Sequence, residues 1–399
     1  MQFWKWPLYV QTLVAMLLGG IVGAWLGPQA APLGDVAKWI VEIVKLLAIP
    51  LLFLAIFDAI ASHAFAGRGV LTMFGISIGN ALCAVAIALA ISNLFTPGQY
   101  LDLRQAGALV KAGYKPVDTS GNHIALMLVQ SPMMLAIVAA IALGLIHTVL
   151  QRGASVERHA RLAQVTAWAA KGLHGVMRGM GWVVRLTPLA VFGAVARVLG
   201  QHGLGLMGGL AAYVGFCLLG MTLHVAIVYH GWVIAVARIG MSRFWRAARE
   251  PVVYAFGINS SLATLPVTLQ ALDELGVSPG SARLSACVGT NFNNDGILLY
   301  EVVAVLFLTQ AYGIDMPLGH QLVTALVCVA ATIGVGGIPE AGIISLTLVL
   351  GAVQLPAEAI PLLLSVDWLV ARCRSAVNVL GDMSVAVGID VVQGRSLRR

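Results

Sequence analysis

The sequence predicts an all-α integral membrane protein that crosses the bilayer many times, and three observations predict it. Of 399 residues, 59% are hydrophobic and only 10% are charged, against about 25% charged in an ordinary soluble domain. Mean hydropathy is +0.90. The apolar residues gather in runs of about 20, the length of helix that spans the hydrocarbon core. Finally, two apolar stretches are interrupted in mid-run by serines or glycines and then a proline. In lipid, a broken helix is tolerated only where its freed backbone is buried or lines a cavity.

Taken in order, the long apolar runs fall at 8–26, 40–62, 70–95, 124–150, 180–200, 205–238, 284–313 and 357–390, giving eight spans. Trp4 and Trp6 beside the first run suit an interfacial belt. That run is long enough to span and lacks a clear cleavage site, so no cleavable signal peptide is expected. The interrupted stretches are 250–276, with GINSSLATLP, and 322–355, with TIGVGGIPEAG. Two such segments in corresponding positions point to a binding site made of half-helix ends. The hydrophilic stretches 99–122, with Arg104, Lys111, Lys115 and Asp118, and 151–161 are expected as loops outside the bilayer.

The net charge of +7 is spread through short loops, which reads as topogenic charge rather than nucleic-acid binding. Lys5 before the first span and Arg395, Arg398 and Arg399 after the last place both termini in the cytoplasm. Arg238, Arg243, Arg246 and Arg249 belong on the same side. The five cysteines lie in apolar segments without CxxC spacing, so they read as small hydrophobes. The nine histidines have no metal-ligand spacing and read as packing or membrane-edge residues.

Polar groups concentrate at membrane depth in three places. GTNFNNDG packs Asn291, Asn293, Asn294 and Asp295 between Gly289 and Gly296. Unwound carbonyls with one carboxylate make an oxygen-only site suited to a small hard cation such as Na⁺. Near the C-terminus, Asp367, Ala371, Arg374, Asn378 and Asp382 are 4, 3, 4 and 4 residues apart, which puts them on one helical face. Arg374 is a fork for a carboxylate, and Asp382, about 12 Å further along, suits a cation. The third place is the pair of interrupted tips, where Ser260 and Ser261 offer hydroxyls and Gly334, Gly336 and Gly337 leave backbone groups bare.

These segments resemble the glutamate transporter homologues, the dicarboxylate/amino acid:cation symporter family. NNDG at 293–296 resembles the family's Asn-Met-Asp-Gly motif, and SSLATLPVT at 260–268 the tip of its first re-entrant hairpin. IGVGGIPEAG at 333–342 resembles the second tip, and VDWLVARCRSAVNVLGD at 366–382 the last helix. The similarity extends to IPLLFLAIFDAIAS in the second span. The resemblance implies a glutamate-transporter-like fold with eight transmembrane helices, two re-entrant helical hairpins and inverted repeats, assembled as a homotrimer; the short loops and termini suit a bacterial inner (plasma) membrane. It implies scaffold helices 1–2 over 1–66, a third helix in the moving transport domain over 67–98, and scaffold helices 4–5 with extramembrane loops over 99–200. The transport-domain core then covers 201–399, and the domain moves as an elevator.

Carried over residue by residue, one Na⁺ site uses carbonyls of Gly289, Asn293 and Asn378 with the carboxylate of Asp382. A deeper site uses the side chains of Asn293 and Asp295 with groups from the third helix, where Asn80 stands for the usual threonine and Ala81 for a small hydroxyl residue. A third uses carbonyls of Thr332, Ile333 and Val335 near Asn291. The resemblance assigns the substrate to Ser260, Ser261, Ile297, Gly337, Ala371, Arg374, Ser375 and Asn378. Asn294 replaces the motif's methionine, and Ile297 a small residue facing the substrate.

Ala371 stands where amino-acid transporters carry an aspartate for the substrate ammonium. Losing that carboxylate leaves Arg372 and Arg374 in a more positive pocket, which favours a small dicarboxylate without an amino group. Glu301 occupies the position of a proton-carrying glutamate, and Glu340 is a weaker candidate. The expected protein is therefore a symporter, not an enzyme, with co-transported Na⁺, no organic cofactor, a small carboxylate substrate and membrane lipid around it. An acidic amino acid symporter and an anion channel are the alternatives.

Overall fold

Helices account for nearly all of the residues that the computed structural model describes, which are 6, 8–61, 68–101, 103, 132–151, 155–202, 206–333, 341–355 and 360–394. No strand occurs among them. The first half contains α1 (Leu8–Leu26), α2 (Gly34–Ala61), α3 (Arg68–Phe95), α4 (Pro132–Gln151), α5 (Val156–Val184) and α6 (Thr187–His202). Then come α7 (Leu206–His224), α8 (Met241–Ile258), α9 (Leu265–Leu275) and α10 (Pro279–Arg283). The last four are α11 (Asp295–Ala311), α12 (Leu318–Thr332), α13 (Ala341–Ala352) and α14 (Ile360–Val392).

Five helical stretches among the described residues are long and apolar enough to cross a bilayer: Val10–Val36, Gly69–Phe95, Gly208–Val236, Pro279–Ala311 and Leu362–Val392. The pair α5–α6 would make a sixth, bent by 44°. This is where the span expected over 180–200 breaks in two, because Pro188 has no N–H to continue the ladder. In α2 the charged residues Asp35, Lys38, Glu42 and Lys45 precede the apolar run, which contains Pro50. Within the loop expected at 151–161, residues 156–161 instead open α5. Ser155 is extended ahead of it, and no glycine or proline interrupts Val156 to Lys171.

Close helix crossings depend on glycine. A Cβ at Gly19 or Gly23 of α1 would run into the backbone of Phe192 or Ala196 on α6. Elsewhere, side chains tie the helices together. Gln310 of α11 accepts from Gly98 N at 2.9 Å and donates to Ser92 O at 2.8 Å, locking α11 to the end of α3. Asp390 of α14 accepts from Ser278 N and from the hydroxyls of Ser278 and Ser281 at 2.6–2.7 Å, holding the start of α10.

Each of the two interrupted stretches is divided between two helices. α8 ends at Asn259, whose left-handed φ of 58° turns the chain, and α9 resumes at Leu265. α12 ends at Thr332 and α13 begins at Ala341. Gly334, Val335, Gly336, Gly337 and Glu340 lie outside the described residues, as do the termini and most of the 99–122 stretch.

Candidate functional site

The segment between α10 and α11 unwinds where its asparagines lie. The helix passes through a π turn at Leu284–Val288 and a 3-10 turn at Gly289–Asn291, then breaks before Asp295. The Gly289 carbonyl accepts from both Phe292 N and Asn293 N at 2.7 Å. Asn293, Asn294 and Asp295 are buried, whereas Asn291 is only half-buried.

Each buried polar group of the break meets α14 or a neighbouring helix. Asn293 Nδ2 donates to Asp382 Oδ1 at 3.4 Å, and its own Oδ1 is buried without a hydrogen-bond partner among the described residues. Asn294 Nδ2 donates to the Thr332 carbonyl at 3.1 Å, so Asn294 reaches the C-terminal end of α12. Asn378 Oδ1 accepts from Gly296 N at 2.9 Å, and its Nδ2 donates to Asn294 Oδ1 at 3.3 Å. A Cβ at Gly296 would stand 2.9 Å from the Arg374 carbonyl, so glycine is what allows α11 and α14 this close. The expected face of α14 is thus real: Ala371, Arg374, Asn378 and Asp382 are all buried on it.

The charge of that face differs from the sequence expectation. Arg374 and Arg372 do not make an uncompensated positive pocket. Arg374 Nη2 donates to Asp367 Oδ2 at 3.1 Å, Nη1 lies 2.9 Å from Asp367 Oδ1, and both residues are buried. The guanidinium also lies over the Tyr300 ring, 4.0 Å from its centroid, and against Gly342, where a Cβ would collide with it. Arg372 Nη1 donates to the carbonyls of Phe256 and Gly257 at 2.8 and 2.6 Å, which ties the end of α8 to α14. Ser375 likewise donates to Asn259 Oδ1 at 2.9 Å.

The serines of the first tip are buried rather than open: Ser260 and Ser261 are each 7% exposed. Ser260 Oγ accepts from Ala263 N, and Ser261 Oγ accepts from the Thr290 hydroxyl at 3.4 Å. The tip therefore rests on the unwound segment. Ile297 is buried in the first turn of α11 and Ile333 follows α12, half-buried. Glu301 is wholly buried on α11, and both of its carboxylate oxygens are without a hydrogen-bond partner among the described residues.

Sequence reasoning passed over two partners of Asp295. Tyr229 Oη donates to Asp295 Oδ2 at 2.8 Å, and His224 Nε2 lies 3.3 Å from the same oxygen. His224 is 0% exposed, so it is no membrane-edge residue, and it packs edge-on against Tyr229. The available signal was a histidine and a tyrosine five residues apart in an apolar span. Without the fold nothing linked them to a carboxyl some 70 residues on. The pairing of Asp367 with Arg374 was open to the same oversight, although the seven-residue spacing placed both on one face.

Comparison with known proteins now meets this geometry. The sodium:dicarboxylate symporter family matches residues 8–392. The chain belongs to this family. Members with similar sequences carry different cargoes. The chain is 26% identical to the "Proton/sodium-glutamate symport protein" of Bacillus subtilis, over 98% of its own length and 94% of the relative's. It is 28% identical to the "C4-dicarboxylate transport protein" of Bordetella avium, over 95% and 87%. It is 35% identical to "Excitatory amino acid transporter 1" of Rattus norvegicus, over 54% of this chain and 40% of that one. As a member of the sodium:dicarboxylate symporter family, the chain is a multi-pass membrane protein of a transporter class.

Proposed function

We propose that the chain is a secondary active symporter in which inward Na⁺ movement drives uptake of a small dicarboxylate lacking an amino group. The observation that carries the substrate class is the setting of Ala371. This residue is buried on the same face as Arg374, and the nearest carboxyl along that face, Asp367, already binds the guanidinium. An ammonium brought beside Ala371 finds no free counter-charge within two turns of α14, a penalty of several kcal/mol for a desolvated ion. A carboxylate, by contrast, can share the planar donor fork of Arg374.

In this reading Arg374, Ser375, Asn378, Ser260 and Ser261 hold the anion, with Ile297, Ala371 and Gly337 shaping its space. Na⁺ is cargo, held by the carbonyls of Gly289, Asn293 and Asn378 with Asp382, by Asn293 and Asp295, and by Thr332, Ile333 and Val335 near Asn291. Asn293 Oδ1, which has no hydrogen-bond partner among the described residues, supports the second site. Glu301, buried near Ser345, is the proposed carrier of a co-transported proton; Glu301→Gln should then flatten the pH dependence of uptake.

Residues 1–66 and 99–200 would form a scaffold, and 67–98 with 201–399 a transport domain moving as an elevator within a homotrimer in the plasma membrane. Eight transmembrane helices, two hairpins and cytoplasmic termini belong to the same reading. Coupling follows if the second hairpin closes only over a fully loaded site. The second reading is an acidic amino acid symporter, which the Bacillus relative favours.

The experiment is thermal stabilisation of the purified protein by succinate, malate, aspartate and glutamate, in Na⁺ and with K⁺ replacing it. A dicarboxylate that raises the melting temperature only in Na⁺ supports the proposal. Stronger stabilisation by aspartate than by succinate or malate sinks the substrate class and leaves symport standing. Stabilisation by none of them in either salt argues against symport of these substrates and turns attention to anion conductance.

A further inference from the structure

We propose that α5 carries a binding surface for anionic phospholipid, on the side of the bilayer where α1 begins. The inference goes beyond the symport reading and does not depend on it.

Arg161, Trp168, Lys171, Arg178 and Trp182 recur at the helical repeat, so they form one stripe along α5, with Arg185 at its C-terminal cap. All six side chains are exposed, Trp168 by 75% and Trp182 by 66%. The opposite face is the packed one. Leu173, Val176 and Met177 lie against the apolar core, and a Cβ at Gly172 or Gly179 would touch Leu54 or Leu47 of α2.

The stripe is also of one sign. Glu157 is the only acidic residue from 156 to 202, and it stands in the first turn of α5, ahead of Arg161. None of the stripe's cations has a carboxylate partner among the described residues. The Arg185 guanidinium instead lies over the Trp182 ring, 5.1 Å from its centroid.

Packing fixes the depth of this surface. A Cβ at Gly19 or Gly23 of α1 would meet Phe192 or Ala196 of α6, so the two helices run parallel in one register. That register puts Leu8, where α1 begins, close to the level of Gly181. Most of α5 therefore continues past the end of α1, after a bend of 44°. Trp6, exposed just ahead of α1, stands near the level of Trp182.

Neither pure solvent suits such a stripe. Hydrocarbon would accept the tryptophans but not the cations, while water would accept the cations and leave two large indoles bare. From Arg161 to Arg185 the helix rises about 36 Å. An upright crossing of a core about 30 Å thick would strand Lys171 or Arg178 in hydrocarbon. The headgroup boundary accepts both kinds of side chain, since indoles settle there and Lys and Arg reach phosphates from it. A second copy docked through the same stripe would set like charges together. An anionic phospholipid complements them.

The test is a lipid titration of the melting temperature of the full-length protein in detergent, comparing dioleoyl phosphatidylglycerol with dioleoyl phosphatidylcholine. Phosphatidylglycerol should stabilise at the lower concentration. Arg178→Gln/Arg185→Gln should weaken its apparent affinity about 25-fold, at roughly fivefold per charge removed. Arg178→Lys/Arg185→Lys, which keeps the charge, should retain it. Arg246→Gln/Arg249→Gln removes as much charge from exposed positions on α8 and should leave the affinity unchanged. Equal weakening by the two glutamine pairs would reduce the effect to net charge and overturn the site. Equal binding of the two lipids would overturn it too. A stripe variant whose oligomer dissociates in light scattering, with its lipid response intact, would give the stripe to a second copy instead. None of these readouts uses substrate or a Na⁺ gradient, so the symport reading stands or falls separately.

Discussion

Two pairs of helical stretches in this protein follow opposite rules. Of the most apolar part of Val10–Val36, 29% is buried within the chain, and of Gly69–Phe95, 44%; for Pro279–Ala311 and Leu362–Val392 the shares are 94% and 89%. Yet the two buried stretches carry Asn293, Asn294, Asp295, Glu301, Asp367, Arg374, Asn378 and Asp382. The exposed ones show leucines, isoleucines and tryptophans, with Trp25 83% and Leu71 76% exposed. In water, burial selects apolar side chains. Here the surrounding solvent is lipid, so the outer helices can be oily on every side, and protein interior is where polar groups find partners. Burial in this chain therefore encloses the polar groups of the site together with an apolar core.

That contrast can be broken by experiment. Arg374→Ala should have the largest effect, because it leaves Asp367 buried and unpaired, a loss of about 3–5 kcal/mol. The double variant Asp367→Leu/Arg374→Leu should regain much of that stability in denaturation of the purified protein, yet show no dicarboxylate-induced shift. Stability that stays low in the double variant would mean that the pair does more than neutralise itself.

Tyr229→Phe comes next. Losing a hydrogen bond to a carboxylate costs about 1.5–3 kcal/mol, and the loss should be greater without Na⁺ than with it, since a bound cation would offset the missing donor. Equal losses in the two salts would separate Tyr229 from the cation site.

In the exposed half, backbone approach matters more than polarity. Gly23→Ala drives a methyl into Ala196 on α6 and should cost about 1–3 kcal/mol. Gly20→Ala meets nothing within 4 Å and serves as its partner control. The smallest effect belongs to Leu18→Ala, at a side chain 51% exposed, with stability held to within about 0.5 kcal/mol. A large loss there would indicate a protein neighbour in place of lipid.

The membrane class, the apolar runs and the unwinding at GTNFNNDG were legible because they are local. They follow from apolar length, from glycines flanking a polar cluster, and from a proline after serines. The face of α14 was legible too, since helical geometry alone aligns Asp367, Arg374, Asn378 and Asp382. The bend at Pro188 and the helical start at Val156 show the limit of reading loops from polarity, because an amphipathic helix is as hydrophilic as a loop.

By itself, then, the sequence determined which solvent surrounds the protein and which residues are out of place in it. Only the tertiary structure decided what those residues do to one another. It turned an excess of positive charge at Arg372 and Arg374 into an ion pair and a helix-end clamp, gave Asp295 two donors from α7 and the turn after it, and set Asn80 against Trp232. The physical reason is range. Hydropathy and helical period act over one or two turns, whereas the partner of a buried polar group is whichever atom the packing brings within 3 Å, often from a segment a hundred residues away.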